Sequence, residues 1–158
     1  MKIWTAAALV LAATGVAHAG GTYDSTGVIL GQSSAKLYPL ADGHLVMELT
    51  GTQDSFEMEA DGHPFSGLSG TCTGGMEIKG PTANGGGVCA YANAAGDRAF
   101  VSWSAKGMMA DGAVGGTWVL IGGTGSMAGI TGGGDYTSKT DRTTGKSRAT
   151  LTGAVTLP

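Results

Sequence analysis

The amino-acid sequence predicts an all-β fold in a single domain. Three observations carry that reading. The chain has 158 residues, enough for one domain and too few for two with a linker. It contains 30 glycines, and beyond residue 19 no stretch free of both glycine and proline exceeds ten residues. The longest are Thr52–Asp61, Asp97–Lys106 and Asp135–Thr144. Each interior glycine costs a helix about 1 kcal/mol and helices usually run ~10–14 residues, whereas strands of five or six fit between the glycines. Thr, Val, Tyr, Trp and Phe fill those intervals, as strands prefer. Helix content is therefore expected below ~10%. Hydrophobic residues at 42% and a net charge of −3 exclude a disordered chain. No Lys/Arg cluster marks a nucleic-acid surface, and glycine follows no third-residue repeat that would make collagen.

The first element is an export signal over residues 1–19. Met1-Lys2 supplies a basic start, Ile3–Val16 an apolar run, and Ala17-His18-Ala19 an A-x-A cleavage site. The run is short for a membrane span, and no second apolar stretch reaches that length. The expected product is residues 20–158, exported to the periplasm or beyond the cell, with no span after processing. Cys72 and Cys89 are the only cysteines. In an oxidising compartment such a pair reads as a disulfide, closing a loop of about 18 residues worth roughly 3 kcal/mol. The alternative, a metal or redox pair, lacks a C-x-x-C spacing and an intervening His.

Turn signals then recur along the chain: Gly31–Ser34, Asp42-Gly43, Gly51–Asp54, Asp61-Gly62, Gly80–Gly87, Ala95–Asp97, Asp111–Gly116, Gly122–Gly125, Gly132–Gly134 and Asp141–Gly145. They bound eight to ten strands, spaced as in a sandwich or an antiparallel barrel. In His44–Thr50, Leu45, Met47 and Leu49 share one face and His44, Val46, Glu48 and Thr50 the other. Val101 and Trp103 oppose Phe100, Ser102 and Ser104. Thr117–Ile121 is apolar on both faces and is expected to lie centrally or against a terminus. A hairpin around Gly80–Gly87 would bring Cys72 beside Cys89 as a cross-strand staple.

The densest motif runs from Gly122 to Gly134. Gly123, Gly125 and Ala128 fit the dinucleotide pattern G-x-G-x-x-A, but that fingerprint needs a helix, which the following glycines forbid. A phosphate loop fails too, because no Gly-Lys-Ser/Thr closes it. The segment reads instead as a structural glycine turn comprising Gly123, Gly125, Gly129 and Gly132, with positive φ or close backbone approach expected at some of Gly125, Gly129 and Gly132.

Gly116-Thr117-Trp118, the string Gly123-Thr124-Gly125-Ser126-Met127-Ala128-Gly129-Ile130-Thr131-Gly132 and the nearby Tyr136 resemble the C-terminal signature of the allene oxide cyclase-like barrels. That superfamily includes the plant dirigent proteins. Cys72-Thr73-Gly74, Cys89, and Gly96-Asp97 followed by Trp103 resemble its secreted bacterial branch. The resemblance covers roughly Cys72 to Tyr136. It implies an eight-stranded antiparallel β-barrel over residues 20–158 with a mostly apolar cavity. It also implies an activity, if any, of the cofactor-free kind: cyclisation of an unstable fatty-acid epoxide or guided phenoxy-radical coupling. The upstream acidic residues Asp24, Glu48, Glu57 and Glu59 lie outside the matching region, so no catalytic residue is assigned.

Glu57 and Glu59 share the face opposite Phe56 and Met58. Paired carboxylates at a cavity mouth could do general acid/base work, although carboxylates usually face water on a half-exposed sheet. His44 and Glu48 lie ~13 Å apart along one strand, too far to pair. Gly132–Asp135 is a single copy of a calcium-type glycine repeat, without the stacked neighbours such a site needs. No metal and no cofactor is implied. The large rings of a small barrel either fill its core or line a cavity. Trp103, Trp118 and Tyr136, with Glu48, are the cavity candidates. An outer-membrane barrel would need two aromatic girdles, and only nine aromatics follow Trp4. Three function classes follow: a binder of a small apolar or phenolic ligand, a cofactor-independent cyclase or isomerase, and a structural envelope protein with a filled barrel. Cavity occupancy and a convergent carboxylate discriminate among them.

Overall fold

The computed structural model describes residues 20–158; the export signal expected at 1–19 lies outside the described residues. Nine antiparallel strands follow one another: β1 (Gly21–Asp24), β2 (Gly27–Ala41), β3 (His44–Met58), β4 (Ser69–Lys79), β5 (Thr82–Ala92), β6 (Arg98–Met108), β7 (Val114–Gly123), β8 (Thr131–Thr140) and β9 (Lys146–Leu157). The strands from β2 to β9 each pair with the next, and β9 also pairs with β2, from Gly27 opposite Leu151 to Gln32 opposite Lys146. Eight strands thus close into a barrel, which removes most of the free sheet edge. β1 stands apart from this ring and pairs only with the last turn-length of β9, Gly21 opposite Leu157. Among the described residues the only helical segment is a 3₁₀ turn at Gly125–Met127.

The two ends of the barrel differ. At one end the β3–β4 connection folds inward and buries Phe65 and Leu68, while the β7–β8 connection buries Met127 and Ile130. Phe65 meets Phe56 edge-on at 5.9 Å between centroids and lies 5.9 Å from the Trp118 ring; Phe56 meets Tyr91 at 4.8 Å. These rings form a packed aromatic floor. The other end carries only short turns, at Asp42-Gly43, Gly80-Pro81, Met109–Ala113 and Asp141–Gly145, and stays open.

Several glycine clusters that read as turns lie inside strands. Gly31–Ser34 is within β2, where a register shift at Leu30/Gly31 marks a bulge; Gly51–Asp54 is within β3 and Gly132–Gly134 within β8. The turn in Gly80–Gly87 is confined to Gly80-Pro81, and Gly85–Gly87 continue β5. The cause is the tight curvature of a small barrel, which brings neighbouring backbones closer than a Cβ permits. A Cβ on Gly31 would run into the Thr52 carbonyl, and one on Gly134 into the Thr152 carbonyl. Thr117–Ile121 also departs from expectation. Trp118 and Leu120 are buried inward, but Val119 and Ile121 are 50% and 57% exposed on the outer wall among the described residues.

Cys72 and Cys89 stand directly opposite on β4 and β5 and form the expected cross-strand disulfide. The Gly122–Gly134 segment is held from β6. Asp97 accepts hydrogen bonds from the Ser126 backbone N–H (3.1 Å) and hydroxyl (2.6 Å), and Thr124 Oγ1 accepts from the Arg98 N–H (3.0 Å). No α-helix opens at these glycines, only the single 3₁₀ turn at Gly125–Met127, so the dinucleotide fingerprint lacks the helix terminus it needs.

Candidate functional site

Above the aromatic floor the barrel encloses a cavity of about 270 Å³ that reaches the open end. Alternation along the strands builds its wall: Met47, Leu49, Gly51 and Gln53 from β3; Cys72, Met76 and Ile78 from β4; Val101 and Trp103 from β6; Trp118, Tyr136, Ala149 and Leu151 from the closing strands. Trp103 and Trp118 are cross-strand neighbours on β6 and β7. Glycines make room for the rings. Trp103 lies against Gly87 and Gly74, whose missing side chains leave its ring within 2.8 Å of where a Gly87 Cβ would stand. Tyr136 likewise covers Gly116, at 2.7 Å from that glycine's absent Cβ. Trp103 and Tyr136 meet edge-to-face at 6.5 Å.

Polar residues interrupt the apolar wall, with Ser33, Thr50, Thr73, Ser138, Thr140 and Ser147 also on the lining. Trp118 donates its indole N–H to the Thr152 carbonyl (3.2 Å), and the Tyr91 hydroxyl lies 3.2 Å from Cys72 Sγ. Burial pushes the Tyr91 phenol pKa up, and pushes that of Tyr136 up to about 12, so both hydroxyls stay protonated. Gln53 is different. Its Oε1 is buried and has no hydrogen-bond partner among the described residues. An acceptor left so costs about 1–3 kcal/mol, which a donor entering the cavity would recover. Arg142, on the β8–β9 turn, is the one charged side chain on the lining, and it sits at the mouth.

Of the sequence candidates, Trp103, Trp118 and Tyr136 lie together on the lining and Glu48 does not. Glu48 is exposed on the outer face of β3, between the inward Met47 and Leu49, because the two-residue period turns it to water. Glu57 and Glu59 are exposed as well. Asp24 accepts from the Thr26 N–H at 2.8 Å, and the Thr26 side chain first and this N–H second lower its pKa, while Asp135 faces Lys106 at 3.8 Å on the exterior. His44 pairs with Glu77 at 2.7 Å, not with Glu48. No carboxylate lines the cavity among the described residues.

A buried polar pair escaped the sequence reading. His63, in the β3–β4 connection, and Ser25, between β1 and β2, are 2% and 0% exposed, with His63 Nε2 3.0 Å from Ser25 Oγ. The pair has the outline of a serine–histidine dyad, but its protons are arranged the wrong way. His63 Nδ1 accepts the Phe65 N–H at 3.0 Å, so Nε2 carries the proton and donates to Ser25. A general base would need Nε2 free to accept. Burial lowers the His63 pKa, opposed by Asp24, so the ring is neutral and serves to anchor the Phe65 plug. The signal available was Gly62-His63-Pro64-Phe65, a histidine beside an aromatic in a turn.

The fold and site define a closed antiparallel barrel, sealed by an aromatic floor at one end and open to an apolar cavity at the other. No protein-family model, no curated protein and no solved structure matches the chain.

Proposed function

We propose that this protein binds a small apolar or phenolic ligand in its barrel cavity. The observation that carries the reading is the unpartnered Gln53 Oε1 in a predominantly apolar, ring-lined space of about 270 Å³. That volume suits a single substituted ring and lies near the lower end of small-molecule pockets. A ligand hydroxyl directed at Gln53 would satisfy the buried acceptor, and the rings of Trp103, Trp118 and Tyr136 would take its apolar body. The open cavity speaks against a barrel filled for purely structural use. The cyclase reading would have needed a convergent carboxylate, and the lining supplies none among the described residues. The glycine-string resemblance to the allene oxide cyclase-like barrels agrees with the closed barrel but rests on the string, so kinship belongs to this proposal. So does export, which the Cys72–Cys89 disulfide suits; no described helix is long and apolar enough to cross a membrane.

Both described tryptophans line the cavity, so intrinsic fluorescence reports its occupancy. Titration with 4-propylphenol and with propylbenzene should quench or shift emission, with the phenol binding roughly tenfold more tightly, as one hydrogen bond of about 1.4 kcal/mol would give. Gln53→Leu should abolish that preference while retaining propylbenzene. An unchanged spectrum at millimolar concentration of both compounds would overturn the proposal.

A further inference from the structure

Toward its mouth the cavity carries its polar side chains on one side, and the strand register shows how. Thr140 on β8 pairs with Ser147 on β9, Ser147 with Gly31 on β2, and Gly31 with Gln53 on β3. Thr140, Ser147 and Gln53 all reach the lining, and Gly31 adds no side chain that would divide the row. Ser138 and Ser33 flank it, two residues along β8 and β2. Thr50 and Thr73 belong elsewhere, exposed between inward neighbours on β3 and β4. The opposite wall, from β4 to β7, presents Met76, Ile78, Val101, Met108 and Val114.

The polar row is not level. Strands of a closed barrel tilt by ~35–45° and stand ~4.8 Å apart, so the three steps from β8 to β3 change depth by about 9 Å. Thr140 ends β8 at the mouth, whereas the row continues past Gln53 to Gly70 and Tyr91 near the floor. Gln53 is therefore the foot of a polar stair and Thr140 its head.

The two ends of the stair call for different groups. Gln53 Oε1 is a buried acceptor without a partner among the described residues, so it takes a donor and would repel an anion. Arg142 stands two residues beyond Thr140, exposed, as the one charged residue on the lining, and makes no ion pair among the described residues. Its planar guanidinium matches a carboxylate through paired N–H groups, and an acid held at the mouth keeps part of its water. The carboxylates of this end lie off the lining. Asp54 and Asp141 face an outer groove among Lys139, Lys146 and Arg148, and Asp141 accepts the N–H groups of Thr143 and Thr144. Asp111 accepts from Lys139, and Asp42 is on the β2–β3 turn.

We propose that the cavity ligand is a small hydroxyaryl carboxylate, its hydroxyl on Gln53 and its acid on Arg142. This rests on the reading of the cavity as a ligand site and names the ligand's second group. The hydroxyl donates to Gln53 Oε1, the ring packs against the apolar wall, and the acid meets the guanidinium above Thr140.

Calorimetric titration near neutral pH with 4-propylphenol, 3-(4-hydroxyphenyl)propanoate and the neutral amide of that acid tests this. The propanoate should bind roughly fivefold more tightly than the amide, as a partly solvated ion pair gives. Arg142→Gln should erase that difference and leave 4-propylphenol unaffected, and Arg142→Lys should retain part of it. Arg148→Gln is the control: it removes the same charge from the outer groove and should leave the preference intact. Both arginines are exposed, so each variant should keep the wild-type melting temperature. Equal affinity for propanoate and amide, a preference that survives Arg142→Gln, or equal losses in Arg142→Gln and Arg148→Gln would overturn the proposal. Any of these with 4-propylphenol still bound would overturn it alone, whereas failure of all three compounds to bind would overturn the cavity reading with it.

Discussion

Replacing Gly132 by alanine should damage the barrel where it closes. Gly132 has φ +141 and pairs with Val155 across the β8–β9 seam. Two costs combine there. The backbone conformation is one that residues with a Cβ rarely adopt, worth about 1–3 kcal/mol. The new methyl would also run into the Ala154 carbonyl, a backbone atom that moves only with β9, and such overpacking costs another ~1–3 kcal/mol. The expected loss is therefore roughly 2–6 kcal/mol, or on the order of 10 °C in Tm for a domain of this size. Gly43→Ala is the control. Gly43 also has positive φ, +67, but nothing lies within 4 Å of its absent Cβ. It should lose only the conformational part, about 1–2 kcal/mol. Urea and thermal unfolding followed by far-ultraviolet circular dichroism, without ligand, measure both. If Gly132→Ala costs no more than Gly43→Ala, the close-approach argument is wrong. If its stability is intact and the wild type instead gains stability from added nucleotide, the segment is an anion loop and not a scaffold turn.

Two further outcomes follow from buried groups. His63 titrates below its ordinary value because burial disfavours the cation, so on acidification the unfolded chain takes up a proton before the native one does. Stability should be flat above about pH 7.5 and fall below about pH 6.5, with a slope of at most ~1.4 kcal/mol per pH unit. The lowered carboxylates Asp24, Asp97, Asp111 and Asp141 act only below about pH 4, so a flat urea midpoint between pH 7 and 5 would contradict the neutral anchoring role of His63. Removing the disulfide with C72A/C89A should cost about 3 kcal/mol from loop closure and should loosen the cavity wall that both cysteines line. An unfolding midpoint unchanged by reductant would refute that contribution.

The fold class was legible because its evidence is local. Glycine spacing forbids helices, and the alternation at Leu45, Met47 and Leu49 points these side chains one way whatever the strand pairs with. Gly31, Gly51 and Gly134 misled as turn signals because a glycine that ends a strand and one that lets two strands approach look alike in sequence. Only the curvature of the closed barrel separates them. Trp103, Trp118 and Tyr136 could be proposed for the cavity since large rings have few other places in a small barrel. Glu48 could have been set aside by its own alternation, which already put it opposite Met47 and Leu49. Gln53 carried no local mark. A glutamine between threonine and aspartate reads as exposed, and its burial depends on which face of β3 closes on the interior. His63 and Ser25 are 38 residues apart and meet only because β1 and the β3–β4 connection share the sealed end.

The same glycines that shape the barrel also make its cavity, which links the scaffold to the site more closely than either does alone. With ordinary side chains at Gly74, Gly87 and Gly116, the inward rows of β4, β5 and β7 would fill the space now taken by Trp103 and Tyr136. The Trp103 ring edge sits where the Cβ atoms of Gly74 and Gly87 would be, and that of Tyr136 where the Gly116 Cβ would be, so both rings occupy wall space that side chains would otherwise fill. A barrel with alanine at those positions would have to displace the rings from the wall they now occupy, at the expense of the cavity they line. Cavity volume here is thus set by residues that contribute no side chain to its lining, and the high glycine content belongs as much to the site as to the strands.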